Sequence, residues 1–135
     1  MFSTKGRYAI RFMIDLAEQP EGIPVPLNDI ADRQEISKKY LEIVVKHLVD
    51  AKLVKGAGGK GGGYRMLRKP EEYTVLDILR AAEGSLVSVA CLDPDADVCP
   101  RQGMCKTLPL WKKFDAVVDE FFGSVTIDDL VKGNF

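Results

Sequence analysis

A glycine-rich segment in the middle of the chain constrains the fold more than any other feature. Residues 56–63 contain six glycines, one alanine and one lysine, a composition that disfavours both a helix and a strand interior. Short runs with strand character, Leu53-Val54 and Tyr64-Arg65-Met66-Leu67, flank the segment on its two sides. The pattern predicts a β-hairpin with a flexible tip.

Three amphipathic helices are predicted before this hairpin. The first begins at Ser3 or Thr4 as N-cap, the second is about two turns long and ends near Gln34, and the third begins after Ser37 as N-cap. Apolar residues recur at helical spacing on the third helix: Leu41, Val44, Val45 and Leu48. Two helices separated by three or four residues, followed by a glycine-tipped hairpin, have the order of a winged helix-turn-helix.

The second half of the chain is predicted to contain two further helices joined by a long loop. Thr74 and Asp77 have the spacing of a capping box, and Gly84 can end the helix that they begin. Residues 85–107 show no sustained period, and a loop of this length usually has a function or is disordered. Past Pro109 comes a long helix so apolar that it needs a partner surface.

These elements predict a mainly α fold with a small β-hairpin. A winged helix-turn-helix DNA-binding domain is expected over residues 1–84, and a cysteine-bearing sensor loop over residues 85–107. Residues 108–135 are expected to form a dimerisation helix and a C-terminal tail, which makes a homodimer the predicted assembly.

The charge of the chain divides into two opposed halves. Residues 1–69 hold 13 Lys and Arg against 8 Asp and Glu, a net charge of +5, whereas residues 70–135 hold 6 against 12, a net charge of −6. The first half is therefore suited to face phosphates, and double-stranded DNA is the predicted partner. The side chains expected to meet base edges and phosphates lie at the start of the third helix and on the hairpin tip: Ser37, Lys38, Lys39, Tyr40, Glu42 and Lys60. The alternative from another class is a protein-interaction module that does not bind DNA.

Cys91, Cys99 and Cys105 are the three cysteines, and they all lie in the predicted loop. Their wide spacing favours an iron-sulfur cluster over a structural zinc site, because a cluster can gather ligands from loosely spaced positions. Two other interpretations stay open. The cysteines could form a thiol switch without metal, or some of them could be small buried hydrophobic residues.

Other function classes find little support in the sequence. The literal G-x-G-x-x-G of residues 56–61 runs into a predicted strand rather than a helix, so it does not predict a nucleotide site. His47 is the single histidine and has no nucleophile or acid arranged around it, so an enzyme is not expected. No apolar run is long enough for a membrane span or a signal peptide, and the expected location is the cytoplasm.

Several segments together resemble a known family, the iron-sulfur-responsive winged-helix regulators of the IscR/NsrR type, also called the Rrf-two family. The resemblance spans residues 2 to about 131. It is carried by the three cysteines and by these segments: Ile30-Ala31-Asp32-Arg33-Gln34, Ile36-Ser37-Lys38-Lys39-Tyr40-Leu41-Glu42, Gly61-Gly62-Gly63-Tyr64, Ala82-Glu83-Gly84 and Leu110-Trp111.

The resemblance implies a homodimeric transcriptional repressor that binds a roughly palindromic operator and senses iron-sulfur, redox or nitric oxide status. It also implies that Cys91, Cys99 and Cys105 are ligands of a two-iron or four-iron cluster, and that Ser37, Tyr40 and Glu42 contact the operator. IscR-like members have a histidine three residues past the last cysteine, where this chain has Leu108. The fourth ligand is therefore unassigned. A regulator of the same fold that senses thiol oxidation or a small ligand is the alternative.

Overall fold

The structure, a computed structural model, describes residues 2–135. It is mostly helical, with one antiparallel hairpin in the described chain, as the sequence predicts. Two single-turn 3-10 helices, at Pro70–Glu72 and Ala90–Leu92, lie between the longer elements. Those elements are α1 (Thr4–Ala17), α2 (Leu27–Gln34), α3 (Lys38–Asp50), β1 (Val54–Ala57), β2 (Gly63–Met66), α4 (Val75–Glu83), α5 (Leu108–Gly123) and α6 (Ile127–Lys132).

Local capping chemistry sets the starts of α1 and α4 where the sequence predicts them. The hydroxyl of Ser3 accepts a hydrogen bond from the backbone N–H of Lys5 at the start of α1. The Thr74 and Asp77 side chains form a reciprocal capping box at the start of α4, which ends at Gly84. Each cap satisfies backbone donors that the first helical turn leaves free.

The turn between α2 and α3 begins at Glu35, which has a left-handed backbone conformation with φ of 54°. This conformation stops α2 and redirects the chain within three residues to the start of α3. The apolar stripe predicted for α3 is fully buried, and it packs with Phe12 and Ile30 of the first two helices. Residues on the opposite side of α3 are thereby left to the solvent.

The hairpin is held against the helices by a third extended segment. Val25 exchanges two backbone hydrogen bonds of 2.8 Å with Tyr64 of β2. Gly63 lies so close to this segment that a Cβ there would stand 2.3 Å from the Val25 carbonyl, and its φ of 154° also disfavours other residues. The hairpin, which is the wing of the winged helix, is therefore anchored to the helices at its base.

The segment after α5, to which the sequence analysis assigned no helix, returns to the core. The backbone N–H of Ile127 donates to the carbonyl of Tyr73, and the N–H of Val75 donates to the carbonyl of Val125. Ile127 is completely buried, and α6 packs against α1. The last part of residues 108–135 thus contributes to the core that α1 and α4 also form.

Glu83, at the end of α4, fixes the start of α1. Its Oε1 accepts hydrogen bonds from the backbone N–H of Ser3 (2.8 Å), the hydroxyl of Ser3 (2.8 Å) and the N–H of Gly6 (3.0 Å). A carboxylate at a helix N-terminus is also favoured by the helix dipole. The contact joins residues that are about 80 positions apart in the sequence.

We expect Glu83→Ala to lower the free energy of unfolding by about 1–3 kcal/mol, because three donors lose a charged acceptor. Urea unfolding followed by circular dichroism measures the effect. Glu21→Ala, which removes an exposed loop carboxylate, is the control and is expected to have little effect. Equal stability of the two variants would contradict the prediction.

Candidate DNA-binding surface and cysteine pocket

The start of α3 presents a polar, solvent-facing surface. Ser37 is the N-cap, and its hydroxyl accepts a hydrogen bond of 3.1 Å from the backbone N–H of Tyr40. Ser37, Lys38, Lys39 and Glu42 are exposed, whereas Tyr40 is half-buried. The structure therefore places these five predicted contact residues together at one end of one helix.

Tyr40 is supported from α1 by an aromatic contact that the sequence analysis did not predict. Its ring meets that of Tyr8 edge to face, with centroids 5.5 Å apart. The guanidinium of Arg11 lies 5.4 Å from the centroid of the Tyr8 ring. Such pairs restrict ring orientation, so the phenol of Tyr40 is held at the edge of the polar surface.

The hairpin carries a second group of cations, of which Lys55 and Lys60 are exposed and Arg65 is partly exposed. Lys60 stands at the hairpin tip between Gly59 and Gly61, which both have positive φ. Behind the tip, Lys55 of β1 pairs with Arg65 of β2 across the strands. Like charges in directly opposed positions destabilise a hairpin unless an anion or solvent separates them. Lys60 alone of these three is predicted from the sequence, because the pairing of Lys55 with Arg65 depends on the strand register.

The three cysteines line one cavity of about 200 Å³. All three are free thiols; Cys91 is exposed, and Cys99 and Cys105 are partly exposed. The other lining residues are Leu92, Ala96, Asp97, Val98, Gln102, Leu108 and Lys112. Within residues 2–135, no three Cys, His, Asp or Glu side chains stand close enough together to hold a metal ion. The thiols thus share a cavity without an assembled metal site.

Cys105 is the cysteine with a distinctive local environment. Its Sγ lies 3.3 Å from the hydroxyl of Thr107. The hydrogen bond from this hydroxyl, with backbone hydrogen bonds from Thr107 and Leu108 and the charge of Arg101, lowers the pKa of the Cys105 thiol. A lowered pKa increases the thiolate fraction near neutral pH.

We expect iodoacetamide to alkylate Cys105 of the reduced, metal-free protein with a pH midpoint below that of an unperturbed cysteine thiol. The rate falls as the pH falls through that midpoint, because the reactive thiolate becomes protonated. Peptide mass spectrometry at a series of pH values measures it. Thr107→Val should move the midpoint upward, and a midpoint that this substitution leaves unchanged would contradict the assigned cause.

Helix α5 has an uncovered apolar stripe. None of its residues is buried by the rest of the described chain. Leu110, Phe114, Val117 and Phe121 recur at helical spacing and are 59%, 42%, 64% and 53% exposed, with Trp111 beside them at 36%. An exposed stripe of this kind marks an interaction surface.

Two polar contacts join α5 to its neighbours, one to the start of the cysteine-bearing segment and one to α4. Asp115 of α5 accepts a hydrogen bond of 3.0 Å from the backbone N–H of Ser88, at the start of the cysteine segment. Asp119 forms a 3.1 Å ion pair with Arg80 of α4. The apolar stripe and the cysteine segment are therefore parts of one connected region.

Comparison with known proteins decides the family. The family described as "Rrf2: Iron-dependent Transcriptional regulator" matches residues 2–133. The chain belongs to the Rrf2 family of transcriptional regulators. It is 35% identical over 132 residues to the HTH-type transcriptional regulator IscR of Aliivibrio salmonicida, covering 98% of this chain and 77% of that protein.

Solved structures agree with this assignment. CymR, the global cysteine regulator of B. subtilis, has a TM-score of 0.78 at 35% identity, over 100% of this chain and 98% of that one. The oxidized form of Staphylococcus aureus CymR has a TM-score of 0.72 at 31% identity, over 97% and 95% of the two chains. The predicted winged-helix fold is thus confirmed. Among residues 2–135, no helix combines the length and apolar character that a membrane crossing requires.

Proposed function

We propose that this Rrf2-family regulator binds a palindromic DNA operator as a homodimer and represses transcription in response to a change at its three cysteines. The observation that carries the proposal is the exposed polar start of α3 on a helix whose other face is completely buried. Such a helix can enter the major groove without losing its packing. The functional units proposed are the DNA-binding domain 1–84, the sensor segment 85–107 and the dimerisation segment 108–135.

Each polar residue of the proposed interface has a role that follows from its chemistry. Lys38 and Lys39 neutralise phosphates, and Glu42 accepts a hydrogen bond from a cytosine amino group. Ser37 and Tyr40 donate from their hydroxyls to phosphates or base edges. Lys60 contacts the DNA backbone from the wing, and the Lys55–Arg65 pair behind it is relieved of like-charge repulsion when a phosphate lies between them.

Salt dependence of duplex binding tests the DNA-binding part of the proposal. The log-log slope of affinity against salt is expected near −0.9 for each phosphate neutralised, and Lys39→Ala, which removes one phosphate contact from each subunit of the dimer, should reduce its magnitude by about two units. Lys113→Ala, which removes the same charge from the exposed surface of α5, should leave the slope unchanged. A protein-interaction module, the alternative of another class, would retain no duplex at any salt concentration.

The proposed cofactor is an iron-sulfur cluster held by Cys91, Cys99 and Cys105. Thiols are the donors that cluster irons take, and these three share one cavity. When bound, such a cluster supplies a centre that reacts with oxidants or nitric oxide. Leu108 has no lone pair to offer as a fourth ligand, and Asp97 is the one carboxylate that lines the cavity in the part of the chain that the structure describes.

The sensor segment contacts the neighbouring helices, and through them it can influence how the DNA-binding domains of the dimer are placed. Ser88 is bound to Asp115 of α5, and Glu83, just before the segment, holds the start of α1. A transition of residues 91–107 between an ordered and a disordered conformation would therefore shift α4 and α5 relative to each other. In a two-fold dimer this shift changes the separation of the two α3 helices.

A second candidate mechanism is thiol oxidation without a cluster. It is favoured by the lowered pKa of Cys105, since the thiolate is the form that oxidants attack. Similarity to a regulator that was solved in an oxidized form also supports it. In this mechanism two of the three cysteines form a disulfide that changes DNA affinity.

A further inference from the structure

Asp15 is the one charged residue in the core among the described residues, with only 2% of its surface exposed. It lies on α1 and faces the C-terminal end of α2. A carboxylate loses its hydration on burial, and this cost must be offset by hydrogen bonds or an opposite charge. Neither the proposed DNA contacts nor the cysteine pocket includes Asp15.

Three donors from the end of α2 converge on the Asp15 carboxylate. Arg33 donates from Nη2 to Oδ1 at 2.7 Å and from Nε to Oδ2 at 3.1 Å, which gives a fork-shaped ion pair. Gln34 donates from Nε2 to Oδ2 at 3.0 Å. The carboxylate therefore fixes two consecutive side chains, the last two residues of α2.

Gln34 is held from its other side by Arg11, also on α1. Arg11 donates from Nε to the side-chain oxygen of Gln34 at 3.2 Å, and from Nη2 to the Gln34 backbone carbonyl. The side-chain amide of Gln34 thus donates to Asp15 and accepts from Arg11, two residues that lie one turn apart on α1. Both its orientation and that of its peptide group are determined.

The clamped residue immediately precedes the turn that leads to α3. Glu35 follows in the left-handed conformation, Ile36 is buried, and Ser37 caps α3. A rotation of the Gln34 peptide would therefore be transmitted over three residues to the first turn of α3. Small displacements weaken hydrogen bonds to base edges strongly, whereas they change the attraction to phosphates little.

We propose that Asp15 is a positioning residue for sequence-specific DNA binding, acting through Gln34 and Arg11 to fix the angle at which α3 is presented. The proposal rests on the proposed function, in which the start of α3 reads the operator. Buried ionic groups often add little net stability over apolar residues of similar volume, so orientation of the turn is the property that this network supplies.

The test compares specific with non-specific binding. A duplex selected by the wild-type protein from a randomised pool, and a duplex of scrambled sequence, are titrated with Asp15→Asn and with Arg11→Ala. Each variant is expected to lower the ratio of the two affinities at least about tenfold, equivalent to the loss of one good base contact. The affinity for the scrambled duplex should change by less than about threefold, not counting the decrease that follows from removing the positive charge of Arg11.

Arg7→Ala is the matched control for Arg11→Ala. Arg7 lies one turn earlier on α1 and is exposed, and its side chain hydrogen-bonds only to Thr4 among the described residues, so Arg7→Ala removes the same charge without touching Gln34. The control is expected to keep the affinity ratio of the wild type. If Asp15→Asn fails to fold, as judged by circular dichroism, the Arg11 and Arg7 pair decides the question.

The outcomes separate the inference from the function on which it rests. A wild-type protein that selects no duplex would overturn both. A wild-type protein that discriminates between the duplexes, with folded variants at Asp15 and Arg11 that discriminate equally well, would overturn only the positioning role. In that case the network would serve stability alone.

Discussion

Phe114→Asp is expected to yield a monomer that binds operator DNA much more weakly than the wild type. Phe114 stands in the middle of the exposed stripe on α5 and is 42% exposed in the single chain. In a two-fold interface each substituted helix would place a carboxylate in apolar surroundings, close to its symmetry mate. We expect the dimer dissociation constant to rise at least about 100-fold, which corresponds to about 3 kcal/mol.

Loss of the dimer should reduce DNA affinity even though the reading helix is untouched. In a dimer, once one DNA-binding domain is bound to its half-site, the second domain binds its own half-site intramolecularly. A monomer loses this gain in affinity. Sedimentation velocity at micromolar concentration and a duplex titration measure the two effects. Ala116→Asp adds the same charge to an exposed position on the opposite side of α5, and it should remain dimeric. A dimeric Phe114→Asp variant would contradict the proposed interface.

Cys91→Ser is expected to abolish the visible absorbance of protein purified without oxygen, together with its iron and acid-labile sulfide. The expectation follows from the cluster proposal, in which each of the three thiols is a ligand and none is spare. Absorbance spectra with iron and sulfide analysis measure the loss. Asp95→Ala, which changes a residue of the same segment that does not line the cysteine cavity, should keep the colour.

The odd number of cysteines separates the two sensing mechanisms. A single disulfide uses two of the three, so under the thiol mechanism one of the three Cys→Ser variants retains the full response of DNA binding to mild oxidant. Under the cluster mechanism all three variants lose the cofactor and its response. A colourless anaerobic wild-type protein without iron or sulfide would eliminate the cluster and leave DNA binding unaffected.

Much of the fold follows from local chemistry that a sequence displays. The caps at Ser3, Ser37 and Thr74 depend on side chains within three residues of the backbone groups that they satisfy. Helix α6 was missed although Thr126 and Asp129 form the same kind of capping box. Its six residues are too short to show an apolar period, and a capping box alone does not specify a helix.

How closely the sequence predicts the candidate site depends on whether its residues lie on one element. The polar start of α3 follows from a cap and a buried stripe within one helix. The residue type of the three cysteines predicts a shared site, whereas the cavity that they line and the Asp15–Gln34–Arg11 network between two helices do not follow from it. Such contacts depend on how elements pack, which spacing along the chain does not reveal.

The central claim is that two copies of the chain pair along α5 and place their two α3 helices against one duplex. The mass and the stoichiometry of the wild-type complex test this claim most directly. Sedimentation equilibrium at micromolar concentration should give twice the chain mass of 14.9 kDa, and two chains should saturate one selected duplex at low salt. A mass of 14.9 kDa without retention of any duplex would contradict the account.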